Sequence, residues 1–130
     1  MLIRTFMPRV SETVAAKHIR HDVIPIWLAE SSLEIHKMFS PDIQRDPRLI
    51  MANINLDYIT ETLWGRDVEV TTGVRSIGNS SFVLMQNVYQ DSRLCAKAFV
   101  TFIHFNYSTH KSESIPQEIR LKLEEHLIKE

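Results

Sequence analysis

The chain has 130 residues, which fits one domain, and its 44% hydrophobic and 24% charged content is that of an ordinary globular protein. A formal net charge of −1 gives no electrostatic case for a nucleic-acid or anionic-membrane partner. No apolar run approaches the roughly 20 residues of a transmembrane helix, and no signal-peptide pattern opens the chain, so we expect a cytoplasmic protein.

The first part of the chain is built around one helix. Alternating residues predict a short strand over residues 3–7, and a loop over 11–22 leads into a helix over 23–39. We expect the Asp22 carboxylate to cap this helix. Apolar residues cover two of its faces, which predicts that its own chain buries one face and a second subunit the other.

Period-2 patterning after the helix predicts four strands, at residues 50–58, 67–75, 82–89 and 94–105. Their short connections predict antiparallel neighbours in a meander that follows chain order. A short terminal helix at about 116–128 completes a single domain spanning 1–130. Because 23–39 is the only long helix, the sheet must curl around it.

Three stretches carry a family resemblance: MANINLDY at 51–58, WGRDVEV at 64–70 and IGNSSF at 77–82. They resemble strands and turns of the 4-hydroxybenzoyl-CoA thioesterase family, acyl-CoA thioesterases with the hot-dog fold. The resemblance covers nearly the whole chain. It implies an α+β hot-dog fold, in which an antiparallel sheet of about five strands wraps around one long central helix. It also implies an acyl-CoA or similar thioester as partner, and a homodimer or dimer of dimers (a homotetramer) with active sites between subunits.

The opening motif of that family reads roughly Asp-x-x-Gly-His-(Val/Ile)-Asn-Asn and aligns here with residues 14–21. His18 and Ile19 match it, whereas Val14 stands in place of the aspartate and Lys17 in place of the glycine. The resemblance therefore implies that His18 is catalytic and that Val14, Lys17 and Ile19 contact substrate. The alternative for His18 is a loop histidine bonded to backbone.

Thioester hydrolysis needs a carboxylate that attacks the carbonyl or activates water, and Val14 cannot supply one. Losing a general base typically costs about 10²–10⁴ in rate. We select Glu30 as the substitute, because it lies beside the position where many family members carry a helix glutamate. The other acidic residues near the motif are Glu12, Asp22 and Glu34. The alternative for Glu30 is a solvated helix flank.

Three further residues are candidates for substrate binding. Ser80 and Ser81 follow a glycine-containing turn where the family tends to contact the CoA nucleotide, although turn chemistry explains them equally well. Asn53 belongs to a polar row that lines an inter-subunit pocket or faces solvent. The histidines lack metal-ligand spacing, and Cys95 is predicted to be a buried apolar residue. No metal and no cofactor are therefore expected.

Two functions of different classes stay open. The first is an acyl-CoA thioesterase that releases CoA and a free acid, with weak activity because Val14 replaces the aspartate. The second is a non-catalytic hot-dog protein that binds an acyl-thioester or another hydrophobic ligand. A third hypothesis is an inactivated thioesterase, in which Val14→Asp together with Lys17→Gly should restore activity.

Overall fold

The computed structural model describes residues 1–129. In chain order it contains β1 (Leu2–Phe6), a 3₁₀ turn (Val10–Glu12), β2 (Thr13–Val14), β3 (His18–Ile19), α1 (Val23–Ser31), α2 (Leu33–Phe39), β4 (Leu49–Tyr58), β5 (Val68–Ile77), β6 (Ser81–Gln90), β7 (Arg93–Asn106), β8 (Lys111–Ser112) and α3 (Gln117–Glu124). The helices and the curled sheet have the predicted α+β hot-dog architecture.

The main sheet has the strand order β1-β5-β6-β7-β4 and is antiparallel throughout. The predicted meander is right for β5, β6 and β7 but wrong for β4, which pairs with β7 and not with β5. The register of that pair places Ile54 opposite Val100. The segment at 59–67 is therefore no tight turn, since it carries the chain from one side of the sheet to the other. Strand β4 is left as a free edge.

The concave face of the sheet packs around α1. Trp27 and Leu28 of α1 are buried against it. Alternate strand residues on this face are at most 1% exposed: Val68, Val70, Val74, Phe82, Leu84, Val88, Ala96, Ala98 and Val100. Each fully buried side chain of the size of valine, leucine or phenylalanine stabilises the fold by about 1.5–3 kcal/mol. These buried positions alternate along β5, β6 and β7, whereas Leu49 is the one buried residue of β4.

The long central helix predicted over 23–39 is two helices, separated at Ser32. The Ser32 hydroxyl donates to the carbonyl of Ala29 at 2.8 Å, which competes with regular helix bonds. Gln86 of β6 also donates from its side-chain amide to the carbonyl of Leu28, at 2.9 Å. The Leu28 carbonyl also accepts the N–H of Ser32 at 3.1 Å, so Gln86 ties α1 to the sheet without removing that helix bond.

Two predicted helix ends also differ from the structure. Asp22 is the N-cap residue of α1, but its carboxylate makes no capping bond. It pairs instead with Arg20, with 3.0 Å between Nε and Oδ1. Helix α3 ends at Glu124, before the predicted limit near 128. The chain beyond it runs beside β5, where the N–H of Val74 donates to the carbonyl of His126 at 2.8 Å.

Candidate active site

A cavity of about 380 Å³, here called the His18 cavity, lies where α1 begins. The β2–β3 hairpin, the first turn of α1, the end of β4, the loop at 59–67 and the start of β7 enclose it. A helix N-terminus carries partial positive charge and free N–H groups. In α1 the N–H of Val23 donates to the carbonyl of Arg20 at 3.1 Å and Pro25 has no N–H, which leaves the N–H of Ile24 in this turn to bond a carbonyl oxygen.

The β2–β3 hairpin forms one wall and places two motif residues side by side. Val14 and His18 are cross-strand partners, so their side chains point to the same side of the hairpin. Its turn residues Ala15 and Ala16 both have positive φ, at 53° and 55°. That region is unfavourable for residues with a Cβ. The hairpin geometry is therefore maintained against local strain.

Hydrogen bonds join the loop at 59–67 to this hairpin. The N–H of Ile19 donates to the carbonyl of Thr62 at 2.8 Å. The buried side chain of Gln90, at the end of β6, accepts from the N–H of Leu63 at 2.8 Å and donates to its carbonyl at 2.7 Å. One buried glutamine thus fixes the backbone of the loop relative to the motif.

His18 lies exposed at the rim of the cavity, opposite Leu63. Within residues 1–129 its ring has no hydrogen-bond partner. A neutral imidazole has one donor and one acceptor nitrogen, so this ring can bond a carbonyl oxygen or exchange a proton. Val14 beside it is 45% exposed and brings no acidic group. Lys17 is exposed in the same hairpin.

Tyr58 is a cavity residue that the sequence reasoning missed. Its hydroxyl donates to the carbonyl of His21, just before α1. Burial, and secondly the charge of Asp22, raise the pKa of Tyr58 above its usual 10.0, so the hydroxyl remains a donor at neutral pH. The hydrogen bond from Arg20 holds the pKa of Asp22 below its usual 3.8. No local pattern signals Tyr58, because its partner lies 37 residues away.

Glu61 was also missed by the sequence reasoning. It belongs to the loop at 59–67, lines the His18 cavity and is exposed. Cys95 lies at the floor of the same cavity and is fully buried, which confirms the prediction of a buried hydrophobe.

Glu30 lies outside the His18 cavity of its own subunit. Its carboxylate pairs with Arg4 of β1 at 3.3 Å, and Arg4 also donates to the Glu30 carbonyl at 2.9 Å. Both residues line a separate cavity of about 280 Å³ between β1 and α1. The structure thus brings together Val14, His18 and Ile19, and places Glu30 elsewhere.

The predicted nucleotide contacts lie toward the opposite end of the sheet. Ser81 pairs with Ile103 on β7, whereas the His18 cavity reaches β7 at Ala96. Seven strand positions separate these two β7 residues, or about 24 Å at about 3.4 Å per residue. Asn53 lies near the middle of β4. Within one subunit, Ser80 and Ser81 are therefore remote from the His18 cavity.

A larger and more open cavity of about 520 Å³ lies beside β5 and β6. Asp67, Glu69 and Asp91 line it, and this concentration of negative charge disfavours an anionic ligand. Residues 1–129 contain no group of three or more His, Cys, Asp or Glu side chains placed to hold a metal ion. None of the helices in this range has the length and apolarity needed to cross a membrane.

A sequence model described as the thioesterase-like superfamily matches residues 6–123 of the chain. No curated protein matches it. Among solved structures, a predicted thioesterase from Bacillus stearothermophilus is 34% identical, with a TM-score of 0.93 over 99% of this chain and 98% of that one. A thioesterase from Thermus thermophilus, complexed with coenzyme A and zinc, is 18% identical, with a TM-score of 0.83 over 93% and 95%. A Staphylococcus aureus protein in complex with CoA is 12% identical, with a TM-score of 0.85 over 99% and 87%.

Proposed function

Because the chain belongs to the thioesterase-like superfamily, we propose that it hydrolyses an acyl-CoA thioester to CoA and a free acid. The observation that carries this proposal is the His18 cavity, which combines the N-terminus of α1 with an imidazole that has no partner within residues 1–129. A CoA substrate and one unpaired, buried cysteine fit the cytoplasm as its compartment.

The proposal assigns a role to each motif residue. The thioester carbonyl oxygen lies at the N-terminus of α1, where the N–H of Ile24 and the helix dipole stabilise the charge that develops on it. His18 donates a hydrogen bond to the substrate or exchanges a proton with it. Val14 and Ile19 contact the acyl group as an apolar wall. Lys17, exposed in the hairpin, offers a cation to the CoA phosphates.

The proposal includes a homodimer formed along β4. This free edge strand exposes large apolar side chains, with Ile50, Met51 and Ile54 between 38% and 46% exposed. A long apolar edge is prone to pair with another strand. Antiparallel pairing of β4 with its copy would bring Ser80 and Ser81 of the partner subunit toward the His18 cavity. The nucleotide contacts and the chemical site then belong to different subunits.

Two predicted residues take secondary roles. Asn53 lies in the middle of β4, so it contacts the partner or the substrate at the dimer interface. Glu30 acts as a catalytic carboxylate only if it releases Arg4. An exposed ion pair contributes about 0–1 kcal/mol, so its loss is a small barrier to that role.

A non-catalytic acyl-thioester-binding protein is the second candidate function. The observation in its favour is Val14, an apolar residue at the cavity position where the family motif carries its aspartate. A hydrophobic side chain there can still contact an acyl group. Such a protein would bind acyl-CoA in the same cavity and leave it intact.

Release of free thiol from a panel of short, long and aromatic acyl-CoA substrates separates the two functions. We expect turnover above the uncatalysed rate, and a loss of about 10²–10⁴ in His18→Ala if the imidazole is an acid or base. His110→Ala, which changes an exposed histidine outside the cavity, is the matched control. Binding of acyl-CoA without hydrolysis would favour the second function. A gain of activity in Val14→Asp with Lys17→Gly would identify an inactivated thioesterase.

A further inference from the structure

We propose that Glu61 is the carboxylate base of this site, an inference that rests on the proposed thioesterase function. Glu61 is the one acidic residue of the range 1–129 that lines the His18 cavity. Glu61 belongs to the loop at 59–67, which lies far in sequence from the motif at residues 14–21. The carboxylate that Val14 cannot supply is thus offered from a different wall of the same cavity.

The acidic residues closer to the motif are already engaged. The Glu12 carboxylate accepts the backbone N–H of Arg9 at 2.8 Å. Each of the other three pairs with a cation: Asp22 with Arg20, Glu30 with Arg4, and Glu34 with Lys37. The Glu61 carboxylate, in contrast, has no hydrogen-bond or ion-pair partner in the part of the chain that the structure describes. It is therefore available to a water molecule without first giving up a contact. Because exposed ion pairs contribute only about 0–1 kcal/mol, the stronger ground for Glu61 is its place in the His18 cavity, which none of the other four carboxylates lines.

The loop presents Glu61 on a fixed backbone. Thr62, the next residue, is buried, and its carbonyl accepts the N–H of Ile19 at 2.8 Å. Leu63 is paired with His18 and clamped by Gln90. The N–H of Trp64 donates to the carbonyl of Lys17 at 2.8 Å, so hydrogen bonds on both sides of Leu63 fix the backbone that carries Glu61 relative to the backbone of His18. Such positioning is what a catalytic base requires.

The reaction step conserves atoms and charge. The Glu61 carboxylate accepts one proton from water, while the water oxygen bonds to the thioester carbonyl carbon. The resulting oxyanion faces the N-terminus of α1. When it collapses, the carbon–sulfur bond breaks and the electron pair leaves with sulfur. The proton held by Glu61 passes to the thiolate, so one thioester and one water give one acid and one thiol.

The test compares five variants, Glu30→Gln among them, with the wild type on the best acyl-CoA substrate. We expect Glu61→Gln to lower kcat by about 10²–10⁴ while CoA binding by calorimetry is retained. Glu61→Asp keeps a carboxylate and should keep part of the rate. Glu61→Ala should regain rate when formate is added, which a structural role would not produce. Glu69→Gln removes an exposed carboxylate outside this cavity and should leave kcat unchanged.

Each contrary result has its own meaning. If the kcat of Glu61→Gln stays within about threefold of the wild-type value, the loss is far smaller than that of a general base. This result overturns the role of Glu61 and leaves the proposed thioesterase function standing. A large loss in Glu30→Gln with none in Glu61→Gln also overturns that role and assigns the base to Glu30. A wild type that hydrolyses no acyl-CoA overturns the proposed function itself, and the assignment of Glu61 with it.

Discussion

The wrapped core and the wall of the His18 cavity are held together by different interactions. In the core, alternate side chains of β5, β6 and β7 pack around α1 at almost no exposure. In the wall, formed by the β2–β3 hairpin and the loop at 59–67, backbone hydrogen bonds and the buried Gln90 join the two segments. Stability and activity should therefore respond to different substitutions. The core depends on volume, whereas the wall depends on a few polar contacts.

The largest effect is expected from a core truncation. Phe82 is 1% exposed and stacks on both Phe39 and Phe102. Phe82→Ala should lower the free energy of unfolding by about 3–5 kcal/mol, because it removes buried surface and leaves a cavity. Urea unfolding at fixed protein concentration measures it. Ile26→Ala, at a 56% exposed site, is the control and should change stability by no more than about 0.5 kcal/mol. Equal effects of the two would contradict this description of the core.

The next effect concerns the free edge of β4. Ile54→Lys should weaken dimerisation by about 10- to 100-fold, because burying an isoleucine is worth about 1.5–3 kcal/mol. Analytical ultracentrifugation over a concentration series measures the dissociation constant. Leu121→Lys alters an exposed leucine of α3, away from this edge, and should leave the dissociation constant unchanged. A dimer that tolerates Ile54→Lys would have to form through another surface.

Two glutamines of β6 test the comparison between core and wall directly. Gln86 bonds the Leu28 carbonyl in the core, and Gln90 bonds Leu63 in the wall. Each alanine variant should lose about 1–3 kcal/mol of stability, because buried backbone groups lose their partner. Only Gln90→Ala should shift the NMR resonances of His18 and lower turnover per folded molecule.

The reverse pattern would count against this division of roles. If Gln86→Ala changed the His18 resonances as strongly as Gln90→Ala, the core and the cavity wall would form one coupled unit. The separation of stability from activity would then fail.

A smaller effect of opposite sign is expected in the hairpin turn. Ala16→Gly should raise stability by about 1 kcal/mol, because glycine adopts the positive φ of 55° without a steric penalty. The same substitution in α1, Ala29→Gly, should lower stability by about 0.5–1 kcal/mol, because glycine is a poor helix former. Urea midpoints of the two variants measure both effects. Loss of stability in both would mean that the turn is not strained.

The smallest effect is a pH dependence from His36. Its ring packs edge-on against Phe102, and burial lowers the pKa of His36 below its usual 6.5. The unfolded chain therefore binds the proton more readily, so stability should fall as the pH drops through about 6.5 toward the lower folded value. His36→Gln should flatten this dependence in urea titrations at about pH 5 and pH 7. The same pH dependence of the unfolding free energy in the wild type and in His36→Gln would argue against this role of His36.

The sequence predicts the core well because the core obeys local rules. Period-2 patterning at 67–75 identifies β5 and its buried face, Val68, Val70, Thr72 and Val74. The stretches at 82–89 and 94–105 are apolar on both sides, so their sequence predicts strands but does not distinguish the face that packs on α1. The pairing of β4 with β7 has no local signal, since its partners lie between 38 residues (Tyr58 and Ala96) and 55 residues (Leu49 and His104) apart in the sequence. The hydrogen bond from Gln86 to the Leu28 carbonyl, which ties α1 to the sheet just before the break at Ser32, joins residues 58 positions apart and has no local signal either.

The candidate site was only partly predictable for the same reason. His18, Val14 and Ile19 are recognisable because they lie in one motif. Glu61 becomes visible only once the loop at 59–67 is known to run beside that motif. Glu30 was selected by its place on a helix, and no sequence pattern reveals that Arg4 would engage it.

A crystal structure of the protein with CoA would show which groups surround the sulfur and the nucleotide. We expect the CoA sulfur to lie in the His18 cavity beside His18 and Glu61 of one subunit. We expect the nucleotide to contact Ser80 and Ser81 of the partner subunit across paired β4 strands. A sulfur located beside Glu30 and Arg4, or CoA held entirely by one subunit, would contradict this arrangement.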